Sequence, residues 1–137
     1  MAHEKFRVEV LTPEGRVFED EVEMVSTKTV TGSIGILAHH EPVLAMLDPT
    51  ELRLYRSESD VVSFAQAEGY LHVAENHALL LVEEAHAPEE LDAGALRERL
   101  RQAEQELEAA EEDSERQRIA QRDKRRWERF LQIKEGS

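Results

Sequence analysis

Cysteine is absent from the 137 residues. That absence removes disulfides, thiolate metal sites and cysteine nucleophiles together, and it fits a reducing compartment. Basic residues are scarce: Lys and Arg number 17 against 30 Asp and Glu, a formal net charge of −13. So acidic a chain is ill suited to bind nucleic acid in general, because affinity for phosphate backbones comes mainly from Lys and Arg. The same argument disfavours anionic lipid headgroups. No apolar run approaches the roughly 18 residues that a membrane-crossing helix needs. The opening Met1-Ala2-His3-Glu4-Lys5 lacks the apolar stretch of a signal peptide. The expectation is a soluble, cytosolic protein.

What is present changes character near Pro88. Before it, short apolar alternations are divided by turn residues. Phe6, Val8 and Val10 alternate with Lys5, Arg7 and Glu9, the period of a half-buried strand. Thr12-Pro13-Glu14-Gly15 then reads as a turn. Further strands are expected at Val22–Ser26, Ile34–Leu37, Val43–Leu47, Leu52–Arg56, Val61–Gln66, Tyr70–Ala74 and Ala78–Glu83. Many short strands at close spacing predict an all-β sandwich or barrel.

After Pro88 the sequence is dominated by strong helix formers. Leu96, Leu100, Ala103, Leu107 and Ala110 recur at steps of 4, 3, 4 and 3, a narrow seam at coiled-coil spacing. Asp92 is the expected N-cap. Glu111–Glu115 is a break, with Asp113 or Ser114 capping a second helix from about Glu115 to Ile133 and Gly136 just past its end. Between Ala120 and Trp127 this helix has no apolar side chain, so the hairpin is sealed at its ends and hardly in its middle. Residues 89–115 carry 3 Arg against 11 acids, whereas residues 116–137 carry 8 Lys and Arg against 3 acids. Exposed ion pairs between such helices are each worth about 0–1 kcal/mol. The basic helix can therefore exchange its acidic neighbour for an acidic surface elsewhere. The fold class is α+β, mainly β, with units at 1–87 and 88–137.

Catalytic signatures are missing. His39-His40-Glu41 is the densest cluster of candidate ligands, but adjacent strand residues point to opposite faces and rarely converge on one ion. One loop histidine with a hydrogen-bonding role and one exposed histidine are expected. Thr31–Leu37 holds two glycines three apart with no Lys-Ser/Thr after them and no helix, so it is neither a P-loop nor a dinucleotide fingerprint. No catalytic residue and no metal site is assigned, and the reading is a binding or regulatory protein.

The order of these features resembles the epsilon subunit of the bacterial F-type ATP synthase (delta in mitochondrial naming). Val8–Gly15 with Val17-Phe18-Glu19 resembles the family's first hairpin, and Val22–Val25 its next strand. Gly32-Ser33-Ile34-Gly35-Ile36-Leu37-Ala38-His39-His40-Glu41-Pro42 corresponds to the family segment G-x-x-G-I-L-x-x-H-x-P. Gly69-Tyr70-Leu71-His72-Val73 matches a later strand. The resemblance implies an N-terminal β-sandwich of about ten strands followed by an antiparallel two-helix hairpin. It implies a non-catalytic rotor subunit in the central stalk that couples gamma to the c-ring. Gly32, Ser33, Gly35, His40 and Pro42 would form the segment facing the c-ring loops and gamma.

It further implies that the hairpin regulates ATP hydrolysis. The basic residues Arg116, Arg118, Arg122, Arg125, Arg126 and Arg129 would meet acidic loops of the alpha/beta hexamer when the hairpin extends. Some relatives bind ATP through I/L-D-x-x-R-A. Leu91 and Asp92 match, and Arg125 and Arg129 align with second-helix arginines, but Ala95 and Leu96 replace the Arg-Ala pair. The expectation is weak or absent ATP binding and no cofactor. The implied location is the cytoplasmic face of the bacterial plasma membrane, peripheral and held there through the complex. Two other readings are a free-standing β-sandwich nucleotide sensor with a helical lid, and an enzyme acting through His39, His40 and Glu41.

Overall fold

The computed structural model describes residues 3–136; Met1, Ala2 and Ser137 lie outside the described residues. Two compact units divide the chain, one ending at Ala87 and the other beginning at Pro88.

The first unit has ten strands: β1 (Phe6–Thr12), β2 (Gly15–Val22), β3 (Met24–Thr29), β4 (Gly32–Leu37), β5 (Val43–Leu47), β6 (Thr50–Tyr55), β7 (Val61–Gln66), β8 (Gly69–Ala74), β9 (His77–Val82) and β10 (Ala85–His86). They form two layers. One runs β10-β7-β6-β3-β4 and the other β5-β8-β9-β1-β2, joined where Thr29 of β3 pairs Leu47 of β5. All ladders are antiparallel except β1 with β9. The sandwich expected from the short alternations is therefore present.

Alternation decides the core. Phe6, Val8 and Val10 point inward from β1, and meet Val25, Leu52 and Leu54 of the first layer and Leu71, Val73 and Leu80 of the second. Far from the bridged corner, Phe18 of β2 meets Phe64 of β7 edge to face, with ring centroids 6.4 Å apart. Inside, Gln66 is fully buried. It accepts from the Thr27 hydroxyl at 2.7 Å and donates to the Asp48 carbonyl at 2.8 Å. These bonds tie the Asp48-Pro49 turn to the corner where the layers join.

One expected strand is cut. Val22–Ser26 is not continuous, because β2 ends at Val22 and β3 starts at Met24. Glu23 breaks the ladder between them, with its N–H donating to the Tyr55 carbonyl at 2.7 Å. The chain changes layer here, so Val22 and Val25 both face inward three residues apart, a spacing that one flat strand cannot provide.

The second unit starts with a 3-10 turn at Pro88–Glu90, then α1 (Ala93–Ala109) and α2 (Glu115–Gly136). Asp92 caps α1, its Oδ1 accepting from the N–H groups of Gly94 at 2.9 Å and Ala95 at 3.2 Å. Ser114 caps α2 through a 3.1 Å bond from the Gln117 N–H. Asp113 beside it adopts φ +60°. Helix α2 runs on past Ile133 to Gly136, so the glycine lies inside its last turn and not beyond it. No helix among the described residues is long and apolar enough to cross a membrane.

Candidate functional site: an apolar face and a charged hairpin

The outer surface of the second layer divides in two. Across β5, β8 and β9, register aligns Met46 with Tyr70 and Leu81, and Leu44 with His72 and Leu79. Leu44 is 73% exposed, Met46 55%, Tyr70 54% and Leu81 46%. Isolated exposed apolar residues are ordinary, but neighbours in one cross-strand patch mark a contact surface. At its edge lies a recess of about 260 Å³ lined by Leu11, Pro13, Tyr70, Leu81 and Glu83. Beyond it, β1 and β2 carry an ion ladder. Arg7 bonds Glu19, Arg16 lies 2.7 Å from Glu19 and 3.5 Å from Glu9, and His77 lies 3.4 Å from Glu9. The hydrogen bond from Arg7 holds the Glu19 carboxyl below its ordinary value.

This patch was not anticipated. Its signal was the unbroken apolar run Val43-Leu44-Ala45-Met46-Leu47. A strand apolar on both faces has both faces to cover, and the core takes only one of them here.

Gly32, Ser33, Gly35, His40 and Pro42 are not gathered into one cluster. Gly32 and Ser33 begin β4, beside the Val30-Thr31 turn, and His40 and Pro42 lie in the loop after its other end. Five residue steps of β4 place roughly 17 Å between its ends. Gly32 has φ +137°, the left-handed side that glycine tolerates. His39 adopts φ +63°. Its N–H donates to Asn76 Oδ1 at 2.7 Å, and its ring lies 2.9 Å from Glu4. His40 Nδ1 sits 2.7 Å from the Glu41 carbonyl. His39 thus ties its loop to the β8–β9 turn and to Glu4, whereas His40 bonds within the loop.

In the hairpin, Glu106 bonds Arg116 and Arg97 reaches Glu135 at 3.2 Å, fastening α1 to α2 at both ends. The bond from Arg116 holds the Glu106 carboxyl below its ordinary value. Between these ends, Ala103 and Ala120 face a recess of about 440 Å³ that also touches Arg99, Asp123 and Trp127. The Arg99 guanidinium covers the Trp127 ring at 4.9 Å. The recess is an open groove on the hairpin surface, and Ala103 and Ala120 beneath it are themselves buried.

The basic residues of α2 do not form one solvated face. Arg118 pairs Glu115, Arg122 pairs Asp123 at 3.0 Å, and Arg129 donates to Gln132 at 3.1 Å. Arg125 is exposed. Arg126 is 7% exposed, and burial lowers its pKa from the ordinary value. The expectation of an exposed basic strip is corrected at this residue: it falls on the same side of α2 as the buried Trp127, Phe130 and Ile133. Leu91 is buried. Asp92 is engaged in capping, and Ala95 contributes no charge where an arginine would hold a phosphate.

Comparison with known proteins places these features in context. A family model described as ATP synthase, Delta/Epsilon chain, beta-sandwich domain matches residues 5–88. The ATP synthase epsilon chain of Halalkalibacterium halodurans is 36% identical over 107 residues, covering 78% of this chain and 80% of that one. That of Priestia megaterium is 37% identical over 106 residues, covering 77% and 78%. That of Rubrobacter xylanophilus is 36% identical over 113 residues, covering 80% and 77%. A chain in the mitochondrial ATP synthase of Euglena gracilis, solved as OSCP/F1/c-ring, has the same fold with a TM-score of 0.74 at 19% identity, covering 96% of this chain and 81% of that one. A chain of the Tetrahymena thermophila central stalk/c-ring structure has a TM-score of 0.61 at 18% identity, covering 98% and 99%.

Proposed function

The chain belongs to the ATP synthase delta/epsilon family, and from that premise we propose that it is a non-catalytic central-stalk subunit, coupling gamma to the c-ring and restraining ATP hydrolysis. The observation that carries the coupling role is the apolar patch of Leu44, Met46, Tyr70 and Leu81 on a chain of net charge −13. Burying such a patch contributes roughly 25 cal/mol per Å² of apolar surface, which suits permanent assembly with gamma. The ion ladder beside it fixes orientation more than affinity. Gly32, Ser33, Gly35, His40 and Pro42, spread along β4 and the loop after it, belong to the segment that faces the c-ring loops and gamma. The complex holds the subunit at the cytoplasmic face of the membrane.

The hairpin is the regulatory element. Its second helix is net positive and its seam is thin in the middle. Arg116, Arg118 and Arg122 make exposed ion pairs and Arg125 is exposed, and exposed pairs are readily exchanged for acidic loops of the alpha/beta hexamer. A gap of a few kcal/mol between two hairpin arrangements makes a usable switch.

Co-purification with gamma tests the reading. Leu44→Glu combined with Met46→Glu should abolish it while leaving the melting curve unchanged, since both side chains are exposed. Retention of gamma by that variant would remove the patch from the interface. Deleting residues 88–137 should leave gamma binding intact and raise hydrolysis by the complex; an unchanged rate would exclude inhibition by the hairpin. The nucleotide-sensor alternative is opposed by Ala95 and by the capping role of Asp92. Calorimetry should give a Kd for ATP weaker than about 10 µM, a limit near 7 kcal/mol of binding energy.

A further inference from the structure

The recess at the border of the apolar patch holds a carboxylate. Strand β9 sends alternate side chains outward, and Glu83, just past its end, follows Leu81 by two residues. Both therefore stand on the outer face of the second layer. The backbone there is fastened: the Glu83 N–H donates to the Glu68 carbonyl at 3.0 Å, and the Ala67 N–H to the Glu84 carbonyl at 2.9 Å. Glu83 is presented from an extension of the ladder and not from a loose loop. With Leu11, Pro13, Tyr70 and Leu81 it lines the recess of about 260 Å³.

The setting of Glu83 differs from that of the acids in the neighbouring ion ladder. Glu9 and Glu19 are matched by Arg7, Arg16 and His77. Among the described residues the Glu83 carboxylate has neither an ion pair nor a hydrogen bond, and no basic residue lines the recess. Glu83 is exposed, so water solvates the charge while the face is open. Once a partner covers Tyr70 and Leu81, that water is excluded. A carboxylate left there without a counter-charge costs free energy, so a partner that fits this face brings a cation to it. The volume is below the roughly 300–1,000 Å³ of small-molecule pockets and suits one long side chain.

We propose that the recess receives an arginine side chain of gamma, with its stem on Leu11, Pro13 and Leu81, its guanidinium over the Tyr70 ring and its nitrogens bonded to both oxygens of Glu83. That gamma is the chain supplying it rests on the function proposed above. Arginine fits better than lysine, because a planar guanidinium meets a ring face and a carboxylate together, whereas an ammonium is a strongly hydrated point charge. A purely apolar side chain would bury Glu83 unpaired. Tyrosine and arginine are also enriched among the residues that dominate interface energies. The recess thus adds selectivity to the patch: a partner with an acid at this point is repelled by the charge that attracts arginine.

Binding of purified gamma to the full chain, measured by calorimetry at low and high salt, tests the anchor. Glu83→Gln keeps the shape of the side chain. It should weaken binding about tenfold or more at low salt and leave a smaller salt dependence than the parent's. Glu58→Gln, the same charge change in the exposed β6–β7 turn, should bind as the parent does. Tyr70→Leu keeps apolar cover without the ring and should weaken binding about threefold. Replacing gamma's surface arginines singly by glutamine should find one whose loss weakens binding to the parent chain but has no further effect on Glu83→Gln. Leu44→Glu with Met46→Glu separates the anchor from the patch. Loss of gamma by that double variant, with full affinity kept by Glu83→Gln, overturns the anchor and leaves the patch as the gamma surface. Retention of gamma by the double variant overturns the patch reading and the anchor with it. Equal effects of Glu58→Gln and Glu83→Gln, or no arginine of gamma coupled to Glu83, overturn the anchor alone.

Discussion

The sandwich and the hairpin hold themselves together in different ways. The sandwich has a closed aliphatic core in which Val8, Val10, Val25, Leu54 and Leu71 are fully buried, and the fully buried Gln66 has bonding partners. The hairpin buries fewer apolar side chains, Leu96 and Ala103 of α1 with Ala120, Trp127, Phe130 and Ile133 of α2, adds exposed ion pairs between its helices, and has an open groove beside Ala103 and Ala120. Apolar burial contributes about 1.5–3 kcal/mol per large side chain, against about 0–1 for an exposed ion pair. A fold assembled this way has a rigid part suited to permanent assembly and a softer part suited to being moved.

Exchanging glycine for alanine gives the largest separation between the two. Gly69 has no room for a side chain, because a Cβ there falls 1.9 Å from the Leu81 carbonyl and 2.7 Å from the Val82 Cα. Gly69→Ala should force β8 and β9 apart at a cost above about 3 kcal/mol, at the severe end for a single substitution, and should sharply lower the urea midpoint. Gly94→Ala in α1 meets only the flexible Asp92 carboxylate, at 3.3 Å, and alanine favours a helix by up to about 1 kcal/mol. It should shift stability by less than about 1 kcal/mol. Similar losses from both variants would break the contrast.

The next largest effect is at the corner of the layers. Gln66→Met keeps the volume but removes the acceptor of the buried Thr27 hydroxyl and a donor to the Asp48 carbonyl. Leaving buried groups unsatisfied costs about 1–3 kcal/mol, so denaturant unfolding of this variant should fall by that amount.

Filling the hairpin should act in the opposite direction. Ala103→Leu extends into the recess beside Ala120 and Trp127. It should raise hairpin stability by about 1 kcal/mol, within the range of cavity-filling changes, and slow hydrogen exchange in α1 and α2 but not in β1 or β8. In the assembled complex the same change should hold the hairpin in its paired form and weaken inhibition.

The smallest effect is electrostatic. Glu106 has its folded pKa depressed by Arg116. Its contribution is fully present above its unfolded value near 4.5 and is lost as pH falls through the depressed folded value. The helical melting transition should soften below that window, and Glu106→Gln should remove this part of the pH dependence. A pH response identical in both chains would separate the pair from hairpin stability.

Much of this molecule is legible from local spacing. The Phe6-Val8-Val10 alternation, the Asp92 cap and the empty stretch before Trp127 all correspond to features of the structure, because each depends on neighbours within four residues. The break at Glu23 was not legible, since only the structure shows that Val22 and Val25 both face inward. The site was less legible. Met46, Tyr70 and Leu81 become a patch only when β5, β8 and β9 align, and Arg126 could be separated from its exposed neighbours only by seeing which side of α2 is buried.

By itself the sequence determined the periods: two-residue alternation, then a helical seam, then a charge reversal between the helices. Those are short-range properties, set by where successive Cβ atoms point. Tertiary structure alone decided that Leu44 faces outward while Leu47 faces inward, that Gly32 and Pro42 stand at opposite ends of a strand, and that Glu83 shares a recess with Tyr70. Each of these depends on which distant strand lies alongside, and strand pairing is set by contacts far apart in the chain, which no local period records.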